Sequence, residues 1–137
     1  MRAFREAVEA GDLEAVEALL AEDVVFTSPV VFKPYPGKAI TAAILRAVVQ
    51  VFEDFRYVRE IGGPDGSDHA LVFSARVGDR ELTGCDFLHV NEDGLIDDFM
   101  VMVRPLSGAQ ALAEAMGARF EQIAKEASGA AGPSDRA

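Results

Sequence analysis

The apolar positions change period once along the chain, from about 3.6 residues to 2. Phe4, Ala7 and Val8 share a helical face that ends at Gly11, a residue suited to a left-handed helix end. Asp12 then stands where a second helix needs its cap, with Leu13, Val16, Leu19 and Leu20 facing inward. Residues 24–27 predict a short strand stopped by Ser28-Pro29, and 30–38, with Pro34, Pro36 and Gly37, predict a loop. A third helix carries Ile40, Ile44, Val48, Val51 and Phe52 at helical spacing. Alternation follows, predicting strands over 55–61, 69–77, 80–90 and 95–103, with turns at 62–66, Gly78-Asp79 and Asp93-Gly94. A last helix is predicted over about 109–125, with Leu112, Met116, Phe120 and Ile123 as its stripe. Helices followed by an antiparallel meander predict an α+β fold. Residues 1–127 make one domain, and the Gly/Ala/Ser/Pro stretch 128–137 is expected to be a disordered tail.

Composition narrows the function classes. A chain of 137 residues can bury about two-thirds of its unfolded surface. No apolar run approaches the ~18 residues that span a bilayer, so no membrane partner is expected. No basic segment leading into an apolar stretch and a cleavage site suggests secretion, and the single cysteine, Cys85, forms no internal disulfide. A cytoplasmic location is the expectation. With 13 basic against 23 acidic residues the net charge is −10, which repels nucleic acid over most of the surface. The acids concentrate on the first two helices, where a solvated face explains them better than a docking site for a basic partner. No His, Cys or carboxylate spacing suggests a metal, and no Gly-rich loop suggests a phosphate cradle, so neither metal nor cofactor is expected.

One residue is out of place. Asp86 lies inside the strand 80–90, away from its turn, although strands disfavour Asp and a buried charge is costly unless paired or neutralised. Around it, three ordered pieces carry a resemblance: the helix pair at Ala10-Gly11-Asp12-Leu13-Glu14-Ala15-Val16-Glu17-Ala18-Leu19, the step Glu22-Asp23-Val24, and Asp93-Gly94-Leu95-Ile96. Over residues 2–105 the chain resembles the nuclear transport factor 2-like superfamily, which includes ketosteroid isomerases, SnoaL-type polyketide cyclases and limonene epoxide hydrolases. The resemblance implies a cone-shaped, curved antiparallel sheet packed against the N-terminal helices, a cystatin-like roll, with an added C-terminal helix.

It also implies a ligand inside the cone, while each known catalytic set is incomplete here. The isomerases' first-helix tyrosine corresponds to Phe4, and their general base, an aspartate before proline, to Ser28. Their protonated acid corresponds to Asp86, which is present. The cyclases' last-strand glutamate, tryptophan and catalytic aspartate align with Asp98, Met100 and Arg104. The hydrolases' arginine, two residues before an aspartate, is Gly84. Two readings of Asp86 stand: a neutral acid that donates a hydrogen bond to a ligand oxygen, or a structural acid bonded to a neighbouring tyrosine or the backbone.

Strand parity sorts the other candidates. If Asp86 faces inward, Gly84, Leu88 and Val90 do too, joined by Phe99, Val101 and Val103 from the last strand. With Phe4 and Ser28 added as positions the resemblance implies, the expected ligand-binding set is Phe4, Ser28, Tyr57, Leu88, Phe99, Val101 and Val103, around a small apolar molecule. Tyr57 can reach inward, but its face is not fixed by pattern. Phe26, Phe32 and Tyr35 are candidates for the pocket rim, His69 reads as a surface residue, and the last helix reads as a brace for the core rather than a lid, in which Phe120 would be the gate. Phe87, His89, Met100 and Met102 face outward and make that side too apolar for a solvated sheet, so a homodimer through the outer face is expected. The alternatives left open are a binding protein without chemistry, an isomerase or cyclase with an unidentified base, and an interaction domain whose cavity is filled.

Overall fold

The computed structural model describes residues 1–131. Two helices, α1 (Arg2–Ala10) and α2 (Leu13–Ala18), lead into strand β1 (Leu20–Thr27). The two-residue β2 (Tyr35–Pro36) precedes helix α3 (Lys38–Val51). The meander follows: β3 (Glu53–Ile61), β4 (Asp68–Val77), β5 (Arg80–Val90) and β6 (Ile96–Arg104). Helices α4 (Leu106–Gly117) and α5 (Phe120–Ala131) end the described chain.

Local chemistry accounts for these boundaries. Gly11 closes α1 in the left-handed conformation at φ 70°, and the Asp12 carboxylate accepts from the Ala15 amide to start α2. Leu20, expected on the second helix, instead opens β1 and is 1% exposed. The Leu19 carbonyl accepts from the Ile96 amide at 2.8 Å, so pairing with β6 takes the chain out of helix early. Within the expected loop, Tyr35 and Pro36 pair with Phe26 and Val25 as a short edge strand.

The six strands form one curved sheet in the order β2-β1-β6-β5-β4-β3. The four meander strands pair antiparallel, as expected, whereas β1 joins β6 in parallel. Helices α1, α2 and α3 cover the concave face, and the buried core, including Phe4, Val16, Val24, Phe73, Leu88 and Phe99, lies between them and the sheet.

The expected single C-terminal helix is two. It breaks after Gly117, a weak helix former, and resumes at Phe120. Helix α4 packs on β4, β5 and β6, while α5 lies along α3, where Arg46 donates to Glu126 at 2.9 Å. Leu112 and Ile123 are buried, and Phe120 is half exposed. Residues 128–131, expected in a disordered tail, lie within α5, and 132–137 fall outside the described residues.

Candidate functional site: an apolar cavity with a buried tyrosine–aspartate pair

A cavity of about 410 Å³ lies between the helices and the concave face of the sheet. Its exposed lining residues, Glu9, Ala10, Gly11 and Val49, place the mouth between the α1–α2 turn and the end of α3. The walls are mostly aliphatic and aromatic. Phe52, Phe55 and Phe73 form one cluster, with ring centroids 4.9–5.7 Å apart, and Phe4 and Phe26 meet Phe99 at 5.5 and 5.3 Å.

Asp86 sits inside this apolar shell, 6% exposed, paired in register with Leu71 on β4 and Val101 on β6. Tyr57 is equally buried and donates its hydroxyl to Asp86 Oδ2 at 2.8 Å. Gly84, two residues before Asp86, accommodates the ring of Phe73. Phe73 lies between Tyr57 and Gly84 in the register, and its ring occupies the space above Gly84. A Cβ there would stand 2.2 Å from Phe73 Cζ, so a strand glycine is what leaves room for the ring.

Burial pushes the Asp86 carboxyl up to about 7, partly offset by the Tyr57 hydrogen bond. Burial also pushes the Tyr57 hydroxyl well above its ordinary value, helped by the adjacent Asp86 carboxylate. Tyr57 therefore stays protonated, and its only proton is committed to Asp86. Any donor offered to a ligand from this pair is the proton of Asp86 itself. Near neutral pH the pair exists in two forms, one offering an O–H and the other an anion.

The mouth is charged differently. Among the described residues Glu9 is the other carboxylate on the cavity wall, held by Arg5 Nε at 3.3 Å, while Arg5 Nη1 reaches Glu60 at 3.2 Å. The Arg5 guanidinium carbon lies 5.9 Å from the Tyr57 ring centroid. Glu9 escaped the sequence reading because it sat among the acids of a solvated helical face, and only the packing angle of α1 turns it to the cavity.

Of the expected ligand-binding residues, Phe4, Tyr57, Phe99 and Val101 line the cavity together with Asp86. Ser28, Leu88 and Val103 do not. The Ser28 hydroxyl accepts from the Val30 and Val31 amides at 3.2 and 2.9 Å, closing a turn beyond β1. Leu88 and Val103 share the inward parity but are spent on core packing. Phe26 is on the wall, whereas Tyr35 packs against the core and Phe32 is 99% exposed, so neither forms a rim. His69 is not a surface residue: its register with Leu88 turns it inward, it is buried, and its Nε2–H donates to the Gly66 carbonyl at 2.8 Å. His89 does face outward, with Nδ1 2.6 Å from Asp97 Oδ1, a contact that raises its pKa. Among the described residues no group of three or more His, Cys, Asp or Glu side chains is placed to hold a metal ion. None of their helices is long and apolar enough to cross a membrane.

The model of the SnoaL-like domain family matches residues 1–99. The chain belongs to this family. As a SnoaL-like domain it falls in the nuclear transport factor 2-like superfamily, and the matched span stops short of α4 and α5. A solved steroid delta-isomerase from Pseudomonas aeruginosa is 46% identical, with 89% of each chain covered and a TM-score of 0.82. An uncharacterized bacterial protein with a cystatin-like fold from Silicibacter pomeroyi is 43% identical over 90% of this chain and 86% of that one, TM-score 0.84. An NTF2-like protein from Cytophaga hutchinsonii shares the fold at 16% identity, covering 76% of this chain and 86% of that one, with a TM-score of 0.59. Comparison with curated proteins gives no match.

Proposed function

We propose that this SnoaL-like domain binds a small, largely apolar molecule carrying one oxygen, which the Tyr57–Asp86 pair anchors. The observation that carries this reading is a hydrogen-bonded acid buried at an otherwise apolar, unfilled cavity of about 410 Å³, within the usual range for small-molecule sites. That free volume also favours a ligand site over an interaction domain with a filled interior. In its neutral form Asp86 donates to a ligand carbonyl, and a negative charge developing on that oxygen is held in a dry site where such a bond is strong.

The P. aeruginosa relative points to lipophilic carbonyl compounds of the steroid type as the class to try first. Phe4 and Ser28 stand where the isomerases carry a tyrosine and a base, so an enzyme here needs another proton acceptor. Glu9 is the available one, since it is the only other carboxylate on the cavity wall among the described residues. Binding without turnover is the second reading, favoured by the exposure of Glu9 and its commitment to Arg5.

The test is fluorescence titration with 2-naphthol and with naphthalene, on wild type, the double variant Tyr57→Phe/Asp86→Leu and Val101→Trp. Wild type is expected to prefer 2-naphthol at least tenfold, the double variant, which has neither polar group of the pair, to lose that preference, and Val101→Trp to bind neither. Equal affinity for both probes in wild type removes the pair from ligand recognition. Turnover of a β,γ-unsaturated ketone that is lost in Glu9→Gln selects the enzymatic reading.

The same proposal includes a homodimer through the outer sheet face. Phe87 pairs with Met100 and Cys85 with Met102 in register, and Phe87 and Met102 are 39% and 55% exposed. A stable interface buries roughly 800 Å² per partner, and this patch is its natural centre. A monomer by light scattering at 100 µM ends this part of the reading. A single cysteine fits residence in a reducing cytoplasm.

A further inference from the structure

The turn beyond β1 presents Val30, Val31 and Phe32 to solvent at 37%, 41% and 99% exposure. Exposed single apolar residues are ordinary, but three in a row ending in a fully bare phenyl ring are not. The segment is also braced. Ser28 accepts from two of its amides, Pro29 and Pro34 restrict it, and Tyr35 returns to pair with Phe26. A rigid loop has already lost the freedom that binding would otherwise remove. Among the described residues nothing receives the ring.

On the outer face lies a groove of about 250 Å³, lined by Phe87, Met100 and Met102 with Asp68, His89 and Asp98. Its apolar floor and acidic rim complement the sequence Phe32-Lys33, in which Lys33 is exposed. Loop and groove belong to one continuous surface, because Thr27, the last residue of β1, pairs with Met100. A two-fold pairing that sets one loop in the partner's groove sets the other loop likewise, so the contact is made twice.

We propose that the groove receives Phe32 of a second copy of this chain, with Lys33 facing Asp68 and Asp98 across the contact. This rests on the outer-face dimer proposed above and names the residue that fixes its geometry. A buried phenyl contributes about 150–250 Å² of contact, a sizeable fraction of one partner's share of a standard interface.

The experiment is sedimentation equilibrium with light scattering on wild type, Phe32→Ala, Lys33→Glu and the double variant Lys33→Glu/Asp98→Lys. Phe32 is 99% exposed among the described residues, so Phe32→Ala is expected to keep the circular dichroism of the wild type. Its dimer dissociation constant is expected to rise roughly 30-fold or more, the behaviour of an interface anchor. Lys33→Glu is expected to weaken the dimer and the double variant to recover it. A wild-type dimer that Phe32→Ala leaves intact, or a double variant no tighter than Lys33→Glu, overturns the Phe32 contact while leaving the sheet-face dimer standing. A monomeric wild type overturns both. A monomeric wild type that sediments with anionic vesicles through Phe32 also overturns the proposal, and makes the loop a lipid contact.

Discussion

At the scale of single residues the protonation of Asp86 sets the behaviour of the site. Its folded value of about 7 exceeds the unfolded value of 3.8, so between these the folded chain holds a proton that the unfolded chain has released. The stabilisation from that bound proton is complete below about pH 4 and is lost as pH rises through 7. Asp86→Asn cannot ionise and escapes this loss. Its stability is expected to match wild type near pH 4 and to exceed it at pH 8.5 by up to about 4 kcal/mol, read as a melting temperature higher by roughly 3–5 °C per kcal/mol. A difference that does not change with pH would count against a raised Asp86. Tyr57→Phe removes the hydrogen bond that holds the carboxyl down, so its pKa, followed by carboxyl carbon NMR, should climb further. Asp86 was legible in the sequence because an acid inside an apolar strand breaks a strong rule. Tyr57 was a candidate without a face, since β3 shifts register on both sides of it and parity fails across a bulge. Glu9 carried no signal at all, as its role depends on how α1 leans over the sheet.

Elements were legible where one local rule governed them, and illegible where tertiary pairing competed. The strand Arg80–Val90 has the bounds its alternation predicted, and Gly11 and Asp12 end and begin helices through their own chemistry. The start of β1 was misplaced because Leu19 and Leu20 suit a helix until β6 supplies a partner, and that partner is remote in sequence. The last helix read as continuous because its apolar stripe runs on across the break. Helix α4 is held close to β5 through Gly108, where an added Cβ would meet Leu82 Cβ at 2.8 Å and the Glu81 carbonyl at 3.2 Å. Those atoms belong to the strand and cannot swing aside, so Gly108→Ala should lift α4. A loss of about 1–3 kcal/mol in chemical denaturation is expected. Because Leu112 on α4 closes part of the cavity, the same variant should weaken 2-naphthol binding. A Gly108→Ala protein with unchanged stability would show that α4 is only loosely docked.

For the whole molecule, one curved sheet serves two purposes through strand alternation. Inward residues build the cavity, and the outward ones leave a patch that asks for a partner. The two are separable by experiment: Phe87→Asp should yield a monomer that still binds 2-naphthol, whereas Val101→Trp should yield a dimer that does not. Loss of both properties in either variant would mean that the cavity takes its shape from the partner.

The parallel join of β1 to β6 bears on how the chain assembles. Leu20 finds its neighbour only at Ile96, on the last strand of the sheet. The helices that roof the cavity are thus tethered to a strand that stays unpaired on that side until the meander is nearly complete. Contacts so distant in sequence slow folding, because the intervening chain must be gathered before they form. The meander can organise from neighbouring hairpins, and the roof must then close onto it late. A ligand enclosed by that roof would be met by a finished sheet and a closing lid of helices, so 2-naphthol should slow unfolding more than it speeds folding.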